Sequence, residues 1–210
     1  TFLFLFVSFA VSQYDYSLED INSNSNFYGT NVGTSVFENQ VTLHYFGHYN
    51  WGLCTTRFGQ LNDLFNQWSL QGLPVQLLGI GKDSHMSNLS NWTNGNNVPV
   101  CADTNPYSVW SSWGASQRDL FVIDHQGNVV LDENISGGIP QGLEELVIEL
   151  VNNIPDCDPN LICTQAITCC DGLLYPTGCC ADNCDNSIGE CEEQECVDGE
   201  LNNDNPCNPM

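Results

Sequence analysis

The sequence predicts an α/β domain, a central mixed sheet flanked by helices, followed by a small disulfide-rich appendage. Three observations predict it. Val41 to Phe46 and Val75 to Ile80 are continuous apolar runs rich in β-branched and aromatic residues, the pattern of strands buried on both faces. Between them Phe58, Leu61, Leu64, Phe65 and Trp68 recur at three- and four-residue steps, the period of an amphipathic helix. Of the 12 cysteines only Cys54 and Cys101 precede residue 156, so the chain changes character there.

The elements follow in order. After the first strand, a helix is expected from Thr55 to about Gln71, ended by Gly72 and Pro74. Val75 to Ile80 is the second strand, and Lys82 to Asn97 reads as a polar loop. Val98-Pro99-Val100 is a short strand that delivers Cys101, followed by a helix carrying Val109, Trp110 and Trp113. Leu120 to Asp124 and Asn128 to Leu131 flank His125-Gln126-Gly127 as a hairpin. Gln141 to Asn153 closes the domain as a helix with Leu143, Leu146, Val147, Leu150 and Val151 on one face.

Three regions result. Residues 1–12 read as the remnant of an export signal: an apolar run ending Ala10-Val11-Ser12, with small residues three and one positions before a cut after Ser12. The run has no initiating Met and no positive flank, so the sequence is read as starting part-way into it; the alternative is a buried N-terminal strand. It is too short to span a bilayer. Residues 18–154 form the globular domain, and Pro155-Asp156-Cys157-Asp158-Pro159 is the expected hinge. Residues 155–210 are a Cys-rich acidic tail without Lys or Arg, too poor in large apolar residues to order itself by packing. Disulfides are expected to supply that order, and spacing alone leaves their connectivity open. Zinc is the competing reading for a pair such as Cys180 and Cys184, but no histidine follows His125.

Composition narrows the partners. At 210 residues and 41% hydrophobic content, the chain holds one sizeable core plus an appendage. A net charge of -23 with 3 basic side chains excludes the phosphate-neutralising surfaces that nucleic acids and anionic membranes require. Acidic solubility and a calcium-binding surface both fit that charge, although no D-x-[DN]-x-[DN]-G loop is present. Export accords with so many cysteines, and the chain is expected to be secreted, extracellular or periplasmic.

Cys54 is the first candidate for chemistry. It lies where the strand Val41 to Phe46 passes through Gly47 and Gly52 into the helix. A thiol at a helix start feels unpaired amides and the positive end of the dipole, which favour thiolate. The basic side chains are Arg57, Lys82 and Arg118, the first only three residues past the sulfur.

Three stretches carry a resemblance: Val41 to Phe46 running into Trp51-Gly52-Leu53-Cys54, Val98 to Asp103, and Arg118-Asp119-Leu120-Phe121-Val122-Ile123-Asp124 with Gly127. Over residues 40 to 153 the chain resembles the redoxin branch of the thioredoxin superfamily, the peroxiredoxin-like and thiol-reductase-like proteins, and the amino-terminal domain of selenoprotein P. The resemblance implies a thioredoxin-like fold and a thiol oxidoreductase, with Arg118 as the arginine that stabilises the reactive thiolate. A guanidinium beside a thiolate favours the charged form and can polarise a peroxide oxygen.

The departures are as informative. Thiol reductases use C-x-x-C, and the first of those positions is Trp51. Peroxiredoxins carry Pro and Thr seven and three residues before the reactive Cys, where this chain has Gly47 and Trp51. The proline that thioredoxins hold opposite the site is missing, because none lies between Pro106 and Pro140. In selenoprotein P-like domains the first position can be selenocysteine, encoded by UGA, one base from the Trp codon UGG. Position 51 is therefore read as that of the first redox residue, with a selenocysteine there as an alternative to Trp51.

Cys101 is the candidate resolving thiol, expected on the same side of the sheet as Cys54; its bland alternative is a small buried hydrophobe. His44 and His48 share a face by strand alternation and read either as structural or as a base or metal pair. His125 is expected to be exposed in its turn. Asn88, Asn91 and Asn134 sit in N-x-S/T sequons. No cofactor and no metal are called for.

The function expected is an exported thiol redox protein working through Cys54, by thiol-disulfide exchange or peroxide reduction. Its partners would be a thiol, disulfide or peroxide substrate and a protein reductant. The alternative is a non-catalytic secreted binding or assembly module on the same scaffold, with the tail as its interaction element.

Overall fold

The computed structural model describes residues 14–154, 196–197 and 200–201. The chain divides into two compact units, Thr1–Ile154 and Pro155–Met210. Residues 1–12 and nearly all of the tail, with its expected disulfides, lie outside the described residues.

The first unit opens with a two-stranded antiparallel ribbon, β1 (Leu18–Glu19) against β2 (Asn31–Val32), which the sequence reading does not contain. Its main sheet follows: β3 (Val41–Phe46), β4 (Val75–Lys82), β5 (Val100–Asp103), β6 (Asp119–Ile123) and β7 (Val129–Asn134). Their order is β5-β4-β3-β6-β7. β3, β4 and β5 run parallel, β6 is antiparallel to β3, and β6 and β7 form the expected hairpin. The helices are α1 (Gly52–Leu70), α2 (Ser90–Thr93), α3 (Ser108–Trp113) and α4 (Leu143–Asn152). In the second unit, β8 (Cys196–Val197) pairs with β9 (Glu200–Leu201).

Strand parity divides the core. Val41, Leu43 and Tyr45 of β3, with Leu120 and Val122 of β6, pack against α1, α2 and α4. Phe46, Leu78, Ile80, Phe121 and Ile123 pack on the other face against α3 and the N-terminal residues Tyr16, Val32 and Phe37. Every residue of β3 is buried, so Thr42 and His44, which alternate with Val41, Leu43 and Tyr45, lie inside the second layer rather than facing solvent.

Two expectations change here. The loop after β4 contains a 3-10 helix, Asp83–Asn88, and α2. The reason is Trp92, which is fully buried and stacks on Phe58 at 4.5 Å and on Tyr45 at 5.4 Å. Gly79 makes room for it, since a Cβ there would lie 2.7 Å from the Phe58 ring and 3.0 Å from that of Trp92. α1 also begins three residues earlier than its threonines suggest, with Trp51 as N-cap, so that Cys54 lies within its first turn.

Candidate functional site

Four segments meet at the N-terminus of α1: the end of β3, the first turn of α1, the residues before β6 and those after β7. Cys54 is a free thiol and fully buried. Its backbone carbonyl accepts a hydrogen bond from Tyr45 Oη at 3.3 Å. Burial, and after it the Cys54 neighbour, push that phenol well above its usual range. Two segments away in sequence, Arg118 donates from Nη1 to Cys54 Sγ at 3.8 Å.

Arg118 is held from every side. Its backbone is left-handed, φ 71, which a non-glycine residue adopts only at a cost of about 1–3 kcal/mol. Its N–H donates to the Phe46 carbonyl at 2.7 Å, and its own carbonyl accepts from Ile135 N–H at 2.8 Å. Nε donates to Ser136 Oγ at 2.7 Å. Arg57, although only three residues past the sulfur, is directed elsewhere: Nε donates to the Ile135 carbonyl at 2.9 Å and Nη2 to the Ser136 carbonyl at 3.0 Å.

Trp51, Gly52 and Leu53 are exposed, Trp51 at 48%, whereas Cys54 is buried. The Trp51 ring lies 6.0 Å from the Arg118 guanidinium carbon and 5.8 Å from the His48 ring. His48 in turn pairs with His85, one Nδ1–H donating to the other Nδ1 at 2.8 Å. Burial, then His85, Lys82 and Arg118, lower the His48 pKa to about 4. Lys82 caps this row of rings, 4.3 Å from the centroid of Trp110 and 4.7 Å from that of Tyr107.

Several expected placements are corrected. Cys101 is on the opposite face of the sheet from Cys54, because the parallel register sets it beside Ile80 in the layer against α3. It is therefore not delivered to the Cys54 sulfur. Burial first, and Asp20 second, push its thiol far up. His44 and His48 do not form a pair: His44 is fully buried between Tyr16 Oη and Thr42 Oγ1, each at 2.9 Å, whereas β3 has ended before His48. His125 is half-buried rather than exposed.

Among the described residues no three His, Cys, Asp or Glu are grouped to hold a metal. No described helix is long and apolar enough to cross a membrane. Cavities of about 460 Å³ at Ile139 to Glu145 and about 390 Å³ beside Asp15 and His125 lie away from Cys54. The reading of the sequence missed Asn134, Ser136 and His85; the first two were visible only as a sequon.

No protein-family model and no curated protein matches the chain. Solved structures do. A thiol:disulfide interchange protein of the thioredoxin family from Chlorobium tepidum superposes with TM-score 0.51 at 17% identity, covering 65% of this chain and 93% of that one. The thioredoxin domain of a thiol-disulfide oxidoreductase from Bacteroides vulgatus does so with TM-score 0.50 at 15% identity, covering 66% and 94%. The dsbF protein of MTB, solved in mixed oxidized and reduced forms, gives TM-score 0.50 at 17% identity over 69% and 98%. The first unit has a thioredoxin-like fold. Cys54 lies in the first turn of α1 and Trp51 is its N-cap.

Proposed function

We propose that this protein is an exported thiol oxidoreductase acting by thiol-disulfide exchange at Cys54. The observation that carries the reading is the Arg118 guanidinium on the Cys54 sulfur, in a chain with 3 basic side chains against 26 acidic ones. A cation and a helix start both favour the thiolate, which is the attacking species. The Cys54 thiolate would attack one sulfur of a substrate disulfide, forming a mixed disulfide and releasing the other sulfur as a thiolate. An external thiolate, from a protein or small-molecule reductant, would then attack the mixed disulfide and return Cys54 to its thiolate. Cys101 has no part in this cycle, because it lies on the other face. Exchange is favoured over peroxide reduction, because Trp51 stands where peroxiredoxins carry the threonine hydroxyl that orients peroxide. The fold neighbours include a thiol:disulfide interchange protein and a thiol-disulfide oxidoreductase, which supports the same class of reaction.

The test is to incubate the reduced protein with a small symmetrical disulfide and map adducts by peptide mass spectrometry. A mixed disulfide at Cys54 and none at Cys101 is expected. Absence of any adduct at Cys54 would overturn the reading.

One observation favours a second reading. Trp51 is exposed and Cys54 fully buried, an arrangement suited to a non-catalytic secreted module that lost its first redox position. A Cys54→Ser substitution without effect on the biological role would establish it. The codon at position 51 bears on both readings: UGA in the source DNA would make that residue selenocysteine with Cys54 as its partner, and UGG would end that variant.

A further inference from the structure

We propose that Asn134 and Ser136 form a positioning relay that sets the Arg118 guanidinium against the Cys54 sulfur. The proposal rests on the reading that Arg118 activates Cys54, and it identifies what aims that side chain.

The relay has only one hydrogen-bonding polarity. Asn134 Nδ2 donates to the Gln117 carbonyl at 3.0 Å and to Asp119 Oδ1 at 2.7 Å. Those two bonds engage the amide N–H groups and fix the orientation of the amide, so Oδ1 faces Ser136. There it accepts from the Ser136 backbone N–H at 3.2 Å and from the Ser136 hydroxyl. With its proton committed to Asn134, Ser136 Oγ serves as an acceptor and takes Arg118 Nε–H at 2.7 Å. A guanidinium only donates, so Arg118 can occupy this place and no other in the chain of bonds. Its planar fork then directs Nη1 at Cys54 Sγ, 3.8 Å away.

Two further observations make this a device for aim rather than an incidental surface network. The carboxylate next to Arg118 in the sequence is that of Asp119. Both of its oxygens are engaged, Oδ1 by Asn134 and Oδ2 by the Ser116 backbone N–H at 2.6 Å. The receiving segment is also tied to the helix that carries the sulfur, because Arg57 of α1 donates to the carbonyls of Ile135 and Ser136. Cys54, α1, Arg57, Ser136 and Arg118 thus close a ring of contacts, and movement of either the thiol or its cation strains the rest. The Asn134 Nδ2 atom that a sequon glycan would take is the one holding Gln117 and Asp119.

The experiment follows the ultraviolet thiolate absorbance of the full chain against pH, as the difference from Cys54→Ser protein, with folding checked by circular dichroism. Arg118→Gln is expected to raise the titration midpoint, leaving about tenfold less thiolate at pH values below it. Ser136→Ala and Asn134→Ala are expected to move the midpoint the same way by a smaller factor, and Ser136→Thr, which keeps the hydroxyl, to restore the native value. A merely structural role for Ser136 would change stability and leave the midpoint in place. If Arg118→Gln moves the midpoint while Ser136→Ala and Asn134→Ala do not, the relay is overturned and the Arg118 reading stands. If Arg118→Gln itself has no effect, the Arg118 reading falls and the relay with it. Should Ser136→Ala fail to fold, Asn134→Ala alone decides between these outcomes.

Discussion

Each face of the main sheet buries one free cysteine, and the two are set in opposite electrostatic surroundings. On the α1 face, Cys54 lies in the first turn of a helix with the Arg118 guanidinium on its sulfur. On the α3 face, Cys101 lies within β5, its Sγ–H directed at the Leu18 carbonyl at 3.9 Å and its own carbonyl accepting Tyr49 Oη at 2.6 Å. Burial and the neighbouring Asp20 hold that thiol protonated. Both sulfurs are fully buried, so depth does not separate them. What differs is the sign of the nearest charge and the presence of a helix start, the two influences that decide between thiolate and thiol.

The largest expected effect comes from exchanging the sulfurs for inert groups. Cys54→Ser should abolish disulfide exchange, whereas Cys101→Ala should retain it and lower stability by about 1 kcal/mol for the lost packing. Exchange assays and urea denaturation on the two variants check this, and equal loss of exchange from both would erase the contrast between the faces. Next in size is Arg118→Met, which keeps an apolar stem and removes the charge. Exchange should slow by up to about tenfold, because the smaller thiolate fraction is partly offset by the greater nucleophilicity of a more basic thiolate.

This contrast was partly legible in the sequence. The resemblance of Arg118, Phe121, Asp124 and Gly127 to the redoxin pattern implied an arginine at the thiol, and the apolar runs marked β3 and β4 because their residue types suit a buried strand. The face of Cys101 was not legible, because a strand buried on both sides shows no alternation to assign parity. The ribbon of β1 and β2 was hidden for another reason: residues 14–40 are rich in Asn and Ser, and the few apolar side chains that anchor them to the sheet, Tyr16, Val32 and Phe37, are too widely spaced to show a strand period; Asp20 Oδ1, accepting from Val100 N–H at 2.9 Å, adds a polar tie. Ser136 was unreadable because a sequence does not give the direction in which a hydroxyl donates.

Trp51 sharpens the comparison in another way, since it distinguishes access from activation. Trp51→Ala removes the exposed ring beside Arg118 and His48. Alkylation of Cys54 by a small neutral reagent should then accelerate by about tenfold, with Cys101 unaffected, because thiol reactivity depends on exposure as well as on charge. Peptide-resolved labelling kinetics provide the measurement. An unchanged rate at Cys54 would mean that the sulfur is reached by some route other than past the indole.

The smallest expected effect concerns two histidines, His44 within β3 and His48 just past its end. His44, against Tyr16 and Trp113 on the α3 face, has its pKa lowered by burial from 6.5 to about 3. The unfolded chain accepts a proton on this ring below pH 6.5, and the folded chain refuses it until about pH 3. Its contribution is therefore complete above pH 6.5, is lost progressively as the pH falls toward 3, and changes no further below that. His48, beside Trp51 and lowered to about 4, acts with the same sign over a narrower window. It is also less buried, so solvent weakens its contribution. Urea midpoints measured from pH 7 to pH 4 should fall less steeply in His44→Phe than in the native protein, and His48→Phe should flatten the slope by a smaller amount. The acidic side chains are common to all three proteins, so the differences isolate the two rings. A slope unchanged by His44→Phe would mean that the folded protein accommodates the charged ring, and that the α3 face is less closed to ions than its burial implies.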